Sequence, residues 1–122
     1  MKIDDKVMDN VIVTSSGLRI IPIEEGDGAK PKSGQTVVAH YEGYLEDGTI
    51  FDSSVARKQP FEFPVGQGRV IKGWDEAFLD MKVGSKSTLI IPPELGYGER
   101  GAPPRIPGGS TLIFEVQLLE IK

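Results

Sequence analysis

Apolar and polar positions alternate with the two-residue step of extended chain in several short runs, each bounded by turn residues. Thr36 to Tyr41 is β-branched or aromatic at most positions. It predicts a strand with Val37, Ala39 and Tyr41 on one face and Val38 and His40 on the other. Thr111 to Ile121 sets Leu112, Phe114, Val116 and Leu118 against Glu115 and Gln117 in the same way. Shorter extended runs are expected at Val11 to Val13, Leu18 to Ile23, Thr49 to Phe51, Phe61 to Phe63 and Ser87 to Ile91. Pro22 puts its run at a sheet edge or a bulge, and Asp47-Gly48 is a hairpin signal. Steps of three and four occur once, at Ile71, Trp74, Phe78 and Met81, and predict one short helix ended by Val83-Gly84. A lone helix with an aromatic stripe must bury it against the sheet. The expected fold is therefore α+β, with about five mostly antiparallel strands and one short helix.

Length and composition narrow the chemistry. The 122 residues fit one domain, with residues 1–16 expected as an N-terminal extension and 17–122 as the domain proper. The net charge of −4 argues against a nucleic-acid or anionic-membrane binder. With no Cys and a single His, His40, neither disulfides nor a multi-His metal site is available to one chain. No apolar run approaches the roughly 20 residues of a membrane span, and the polar start carries no signal-peptide pattern, so a cytoplasmic location is expected.

Enzyme templates fail one by one. Gly66-Gln67-Gly68 with Gly73 misses the dinucleotide-loop spacing and is better read as a turn before the helix. His40 is expected to be an accommodated strand histidine, and Ser53-Ser54 lies outside any GxSxG context. Asp4, Asp5 and Asp9 lack calcium-loop spacing. What remains is a set of aromatics near turns, Tyr41, Phe51, Phe61 and Tyr97, which with Trp74 and Phe114 could line an apolar ligand pocket or simply fill the core. The stretch from Pro92 to Ser110, rich in Gly and Pro, is long enough to read as a functional loop.

Four motifs in register carry a resemblance. They are Tyr41-Glu42-Gly43 with Leu45-Glu46-Asp47-Gly48 and Phe51-Asp52-Ser53-Ser54, then Val70-Ile71-Lys72-Gly73-Trp74-Asp75-Glu76. Pro92-Pro93-Glu94-Leu95-Gly96-Tyr97-Gly98 follows, and Ile106-Pro107 before Thr111-Leu112-Ile113-Phe114-Glu115-Val116 completes the set. Over residues 17–122 the chain resembles the FKBP-type peptidyl-prolyl cis–trans isomerases, immunophilins that bind tacrolimus and rapamycin. Ser16-Gly17-Leu18-Arg19 and Tyr97-Gly98-Glu99-Arg100-Gly101 look more like microbial members than minimal animal ones.

The resemblance implies a five-stranded antiparallel sheet wrapped around the helix, with a ligand pocket between them. It assigns catalytic roles to Tyr97, Asp52 and Phe51, with the Tyr97 hydroxyl donating to a substrate carbonyl and the Ile71 N–H holding another. Trp74 becomes the floor, and Tyr41, Phe51, Phe61, Val70, Ile71, Ile106 and Phe114 the walls. Arg57 steadies Asp52, and Phe63 stands at the margin. No cofactor or metal is implied. Expected partners are proline-containing peptides, unfolded proteins and the two macrolides, with no nucleic acid or membrane and the chain a monomer. Ala102 and Arg105 depart from the family's common residues at the rim, and no large apolar insert separates Gly98 from Ile106, so only modest action on unfolded proteins is expected. The rival readings are a binding module without catalysis and a purely structural domain.

Overall fold

The two runs with the cleanest alternation become the two longest strands. A computed structural model describes residues 11–122; the acidic positions Asp4, Asp5 and Asp9 lie outside them. In chain order the elements are β1 (Ile12–Val13), β2 (Arg19–Glu24), β3 (Thr36–Leu45), β4 (Ile50–Ser53), β5 (Phe61–Pro64), α1 (Lys72–Leu79), β6 (Lys86–Ile91) and β7 (Leu112–Ile121). A short 3-10 turn covers Pro93–Leu95. β3 and β7 pair antiparallel from Val37↔Ile121 to Leu45↔Leu112 and form the sheet's centre. The order is β1-β2-β6-β7-β3-β4, with β5 also on β3, and every pairing is antiparallel.

The α+β class is as expected, but among the described residues the sheet has seven strands rather than five. Two physical causes account for the difference. β4 and β5 pair with opposite halves of β3, at Glu42–Tyr44 and Thr36–Ala39, so one lateral position is split by the segment 54–60. β1, inside the segment read as an extension, adds an edge through Ile12↔Ile20 and Val13↔Arg19. Pro22 stands where the β2–β6 register shifts, at a bulge beyond the reach of β1, which suits a residue with no N–H to give. The Asp47-Gly48 hairpin forms, with Gly48 N–H donating to the Leu45 carbonyl oxygen (2.9 Å).

The inward face of the sheet is the predicted one. Val37, Ala39 and Tyr41 join Leu112, Phe114, Val116 and Leu118 in a single core. His40 faces the other side, where its Nδ1 lies 2.9 Å from Ser54 Oγ.

Helix α1 is eight residues long, too short to persist alone. Burial of Trp74, Ala77 and Phe78 against the sheet holds it. Gly73 permits the close approach: a Cβ there would stand 2.9 Å from the Ile91 side chain. The stripe predicts helix to Met81, yet the helix stops at Leu79. Asp80 N–H and Met81 N–H donate instead to Ala77 and Phe78, tightening the last turn to three-residue spacing, and Val83 N–H is taken by Ala29. Met81 is buried all the same.

Candidate functional site

The cavity opens where α1 begins, between the helix and the inner face of β3, β4 and β7, and holds about 320 Å³. Its floor is Trp74, 3% exposed, with ring centroids of Tyr41 at 4.9 Å and Phe114 at 5.2 Å, both edge-to-face. Such contacts fix the indole more firmly than burial alone. Behind it stand Phe63 at 5.6 Å and Phe78 at 5.4 Å. Among the described residues the Trp74 Nε1–H is the one buried side-chain polar atom without a hydrogen-bond partner, a cost of about 1–3 kcal/mol carried by the floor of the site. Phe51 meets Phe114 edge-on at 5.4 Å, and Phe61, partly exposed, stacks on Phe63 at 5.6 Å.

Asp52 supplies the wall's carboxylate, and its neighbours hold it still. Tyr41 Oη–H donates to Oδ2 (2.5 Å), the Arg57 guanidinium donates to Oδ1, and Ser53 N–H also donates to Oδ1 (2.9 Å). Arg57 Nη2–H reaches Tyr41 Oη as well (3.0 Å), so three side chains form a closed polar ring. Burial works to raise the Asp52 pKa, but the Tyr41 hydrogen bond and the bond and charge of Arg57 outweigh it and leave the pKa below the ordinary value. Burial raises the Tyr41 pKa, and the Asp52 bond adds to the rise.

Tyr97 comes from the long loop, which folds back on itself rather than hanging free. Gly101 N–H donates to the Tyr97 carbonyl (3.1 Å), Gly109 N–H to that of Gly98 (2.9 Å), and Ala102 and Ile106 exchange both backbone bonds (2.8 and 3.1 Å). Burial, then the Asp52 charge, raises the Tyr97 pKa, so the phenol keeps its proton across neutral pH. Its hydroxyl makes no hydrogen bond to another described residue and is left available to a ligand. On the opposite rim, Ile71 is the extended residue that opens α1, with no side chain capping the helix start.

The structure thus brings together Tyr41, Phe51, Asp52, Phe61 and Trp74 with Val70, Ile71, Tyr97 and Phe114. Ile106 is not among the lining residues and is buried in the core. Arg57 stands outside, touching the cavity only through Asp52 and Tyr41, and Phe63 lies behind the floor rather than at a margin. Three contacts escaped the sequence reading. Arg69 lines the cavity, and its place just before Val70-Ile71 was the available signal. Arg105 Nη1–H donates to the Phe51 carbonyl (2.9 Å), tying the loop to β4. Asp75 accepts from Gly66 N–H (2.8 Å) and Gly68 N–H (3.0 Å). The glycine loop that superficially suggested phosphate binding is therefore filled by the chain's own carboxylate. Among the described residues no cluster of three or more His, Cys, Asp or Glu side chains could hold a metal ion.

The family model for the FKBP-type peptidyl-prolyl cis-trans isomerases matches residues 27–119. The chain belongs to this family. The mouse peptidyl-prolyl cis-trans isomerase FKBP2 is 60% identical over 93 residues, 76% of this chain and 66% of that protein, so the match spans just under two thirds of the relative's length. FK506-binding protein 1 of Rhizopus delemar is 52% identical over 106 residues, 86% of this chain and 98% of that protein. The crystal structure of AtFKBP13 superposes with a TM-score of 0.88 at 41% identity, covering 92% of this chain and 98% of that one. In this FKBP domain no helix among the described residues is long and apolar enough to cross a membrane.

Gly43 shows how closely the walls are fitted. A Cβ there would stand 2.5 Å from Phe51 Cζ and 2.8 Å from Phe114 Cε1. Gly43→Ala is expected to cost about 1–3 kcal/mol and to turn the Phe51 ring into the cavity. Chemical unfolding and the Phe51 ring resonances check this; unchanged ring shifts would contradict it.

Proposed function

We propose that this FKBP domain accelerates cis–trans rotation of X–Pro bonds in peptides and folding chains by non-covalent means. The observation that carries the reading is a ring-lined cavity, floored by Trp74, with the unpartnered Tyr97 hydroxyl on its rim. The uncatalysed barrier is about 18–20 kcal/mol because rotation breaks amide resonance. Resonance also makes the planar amide strongly dipolar, and that dipole fades as the bond twists. Aromatic walls that exclude water disfavour the planar form more than the twisted one, which is the differential binding that speeds a step.

A millionfold acceleration requires about 8 kcal/mol. One well-placed donor supplies at most about 3–4 kcal/mol, so the Tyr97 hydroxyl cannot act alone. Desolvation and a bent chain held between the Tyr97 loop and the Ile71 N–H supply the remainder. Asp52, fixed by Tyr41 and Arg57, acts as a wall carboxylate, and Phe51, Phe61, Val70 and Phe114 as apolar walls; Ile106 supports them from behind. No cofactor enters the mechanism.

The same hollow suits a macrolide carrying a proline-like ring, and the name of the Rhizopus relative says that that protein binds FK506. Tacrolimus and rapamycin are therefore proposed ligands, and a monomeric state with a cytoplasmic location, in keeping with an acidic, charge-rich chain, completes the reading.

NMR exchange spectroscopy on an X–Pro peptide tests the activity. At micromolar protein, cis–trans exchange of the peptide should rise from about 0.01 per second uncatalysed to about 1 per second, the product of an ordinary kcat/KM of about 10⁶ per molar per second and the protein concentration. An exchange rate equal to that of peptide alone removes the proposal, and tight tacrolimus binding without exchange turns it into a pure binding module.

The pH profile should be flat from about pH 5 to about pH 9. Asp52, with a lowered folded pKa, contributes above its unfolded value and is lost as pH falls through the folded one. Tyr41 and Tyr97, with raised values, contribute below theirs and are lost as pH rises through the folded ones. A steep change inside that window would contradict this assignment.

A further inference from the structure

Two of the ten residues that line the cavity, Asp52 and Arg69, are ionised at neutral pH. The Asp52 carboxylate is already matched by Arg57 and Tyr41. Arg69 is exposed and makes no ion pair or hydrogen bond with another described residue. A second guanidinium, Arg105, donates to the carbonyl of Phe51, itself a lining residue. The one charge on the lining left unmatched by another described residue is therefore cationic, while the chain as a whole carries −4. It is a local reversal of sign, not the overflow of a basic surface.

We propose that Arg69 is a specificity-determining residue that favours proline segments with a carboxylate side chain within two residues of the proline. The proposal rests on the isomerase reading. Once the proline ring enters the aromatic hollow, its flanking residues must cross the rim where Arg69 stands. A guanidinium offers a carboxylate two parallel N–H donors. Both groups remain in contact with water, so the preference is modest and screened by salt. Charge attraction at the rim acts on the planar and the twisted bond alike, and so it should appear in KM rather than in kcat.

Matched peptides carrying Glu, Gln or Lys at each of the two positions before and after the proline test this by NMR exchange spectroscopy. No coupling protease is present to add its own preference. At one or more positions Glu over Gln should raise kcat/KM about two- to fivefold at low ionic strength, mostly through KM, and Lys should lower it. The ratio should move towards one in about 0.5 M salt, vanish in Arg69→Gln and invert in Arg69→Glu. A Glu/Gln ratio between about 0.7 and 1.5 at every position, or a preference that survives Arg69→Gln, overturns the inference. Absence of acceleration even on the Gln peptides instead sinks the isomerase reading, and this inference with it.

Discussion

Trp74→Ala is expected to lower folding stability by about 3–5 kcal/mol and to abolish measurable isomerisation and macrolide binding. The indole touches Tyr41, Phe61, Phe63, Phe78 and Phe114, so its removal leaves a hole between helix and sheet that no single neighbour can fill. A domain of this kind has about 5–15 kcal/mol to lose; the variant should fold but melt early. Trp74→Phe separates the two effects. It keeps a ring on the floor and removes the unpartnered Nε1–H, so the lost volume is offset by the release of a buried, unsatisfied donor. Its stability should fall within about 1 kcal/mol of the parent's, while ligand affinity drops because the broad indole face is gone. Trp74 is the chain's one tryptophan, so unfolding must be followed by circular dichroism. Full turnover in Trp74→Ala would place the chemistry elsewhere.

The inward faces of β3 and β7 were legible because alternation is a local property: each residue's face follows from its neighbours'. The same holds for the α1 stripe, although the helix's end was not legible, since it depends on Ala29 drawing Val83 from 54 residues away. The runs that became β4 and β5 were legible separately, but not their shared place, because only the pairing with β3 shows that both lie along a single edge. Within the site, the aromatic set could be read from residue type and resemblance. Of its polar ring, the resemblance supplied Arg57 beside Asp52, but not the Tyr41 hydroxyl that closes the ring across a hairpin and a loop. Arg105 was noticed as a departure from the family, but its bond to Phe51 spans 54 positions. Asp75 escaped because helix residues beside a stripe ordinarily face solvent, whereas this one reaches back to two glycine N–H groups.

Gly108→Ala is expected to reduce kcat/KM about tenfold to a hundredfold while lowering stability by less than Trp74→Ala does. A Cβ at position 108 would stand 1.9 Å from the Glu99 carbonyl oxygen. Both partners are backbone, so no side chain can swing aside, and the strands of the loop at 98–101 and 106–109 must separate. That seam carries the Gly109-to-Gly98 bond, and the adjoining Gly101-to-Tyr97 bond fixes the residue bearing the phenol. Opening it leaves Trp74 and the sheet in place but moves the Tyr97 hydroxyl from where a substrate carbonyl would lie. Gly109→Ala is the control. Gly109 has a positive φ of 72°, yet nothing lies within 4 Å of its Cβ position, so it costs about 1 kcal/mol of backbone strain without a collision. Its activity should stay within about twofold of the parent's. If position 109 instead proved the more damaging of the two, loop strain rather than the 99–108 contact would govern the placement of Tyr97.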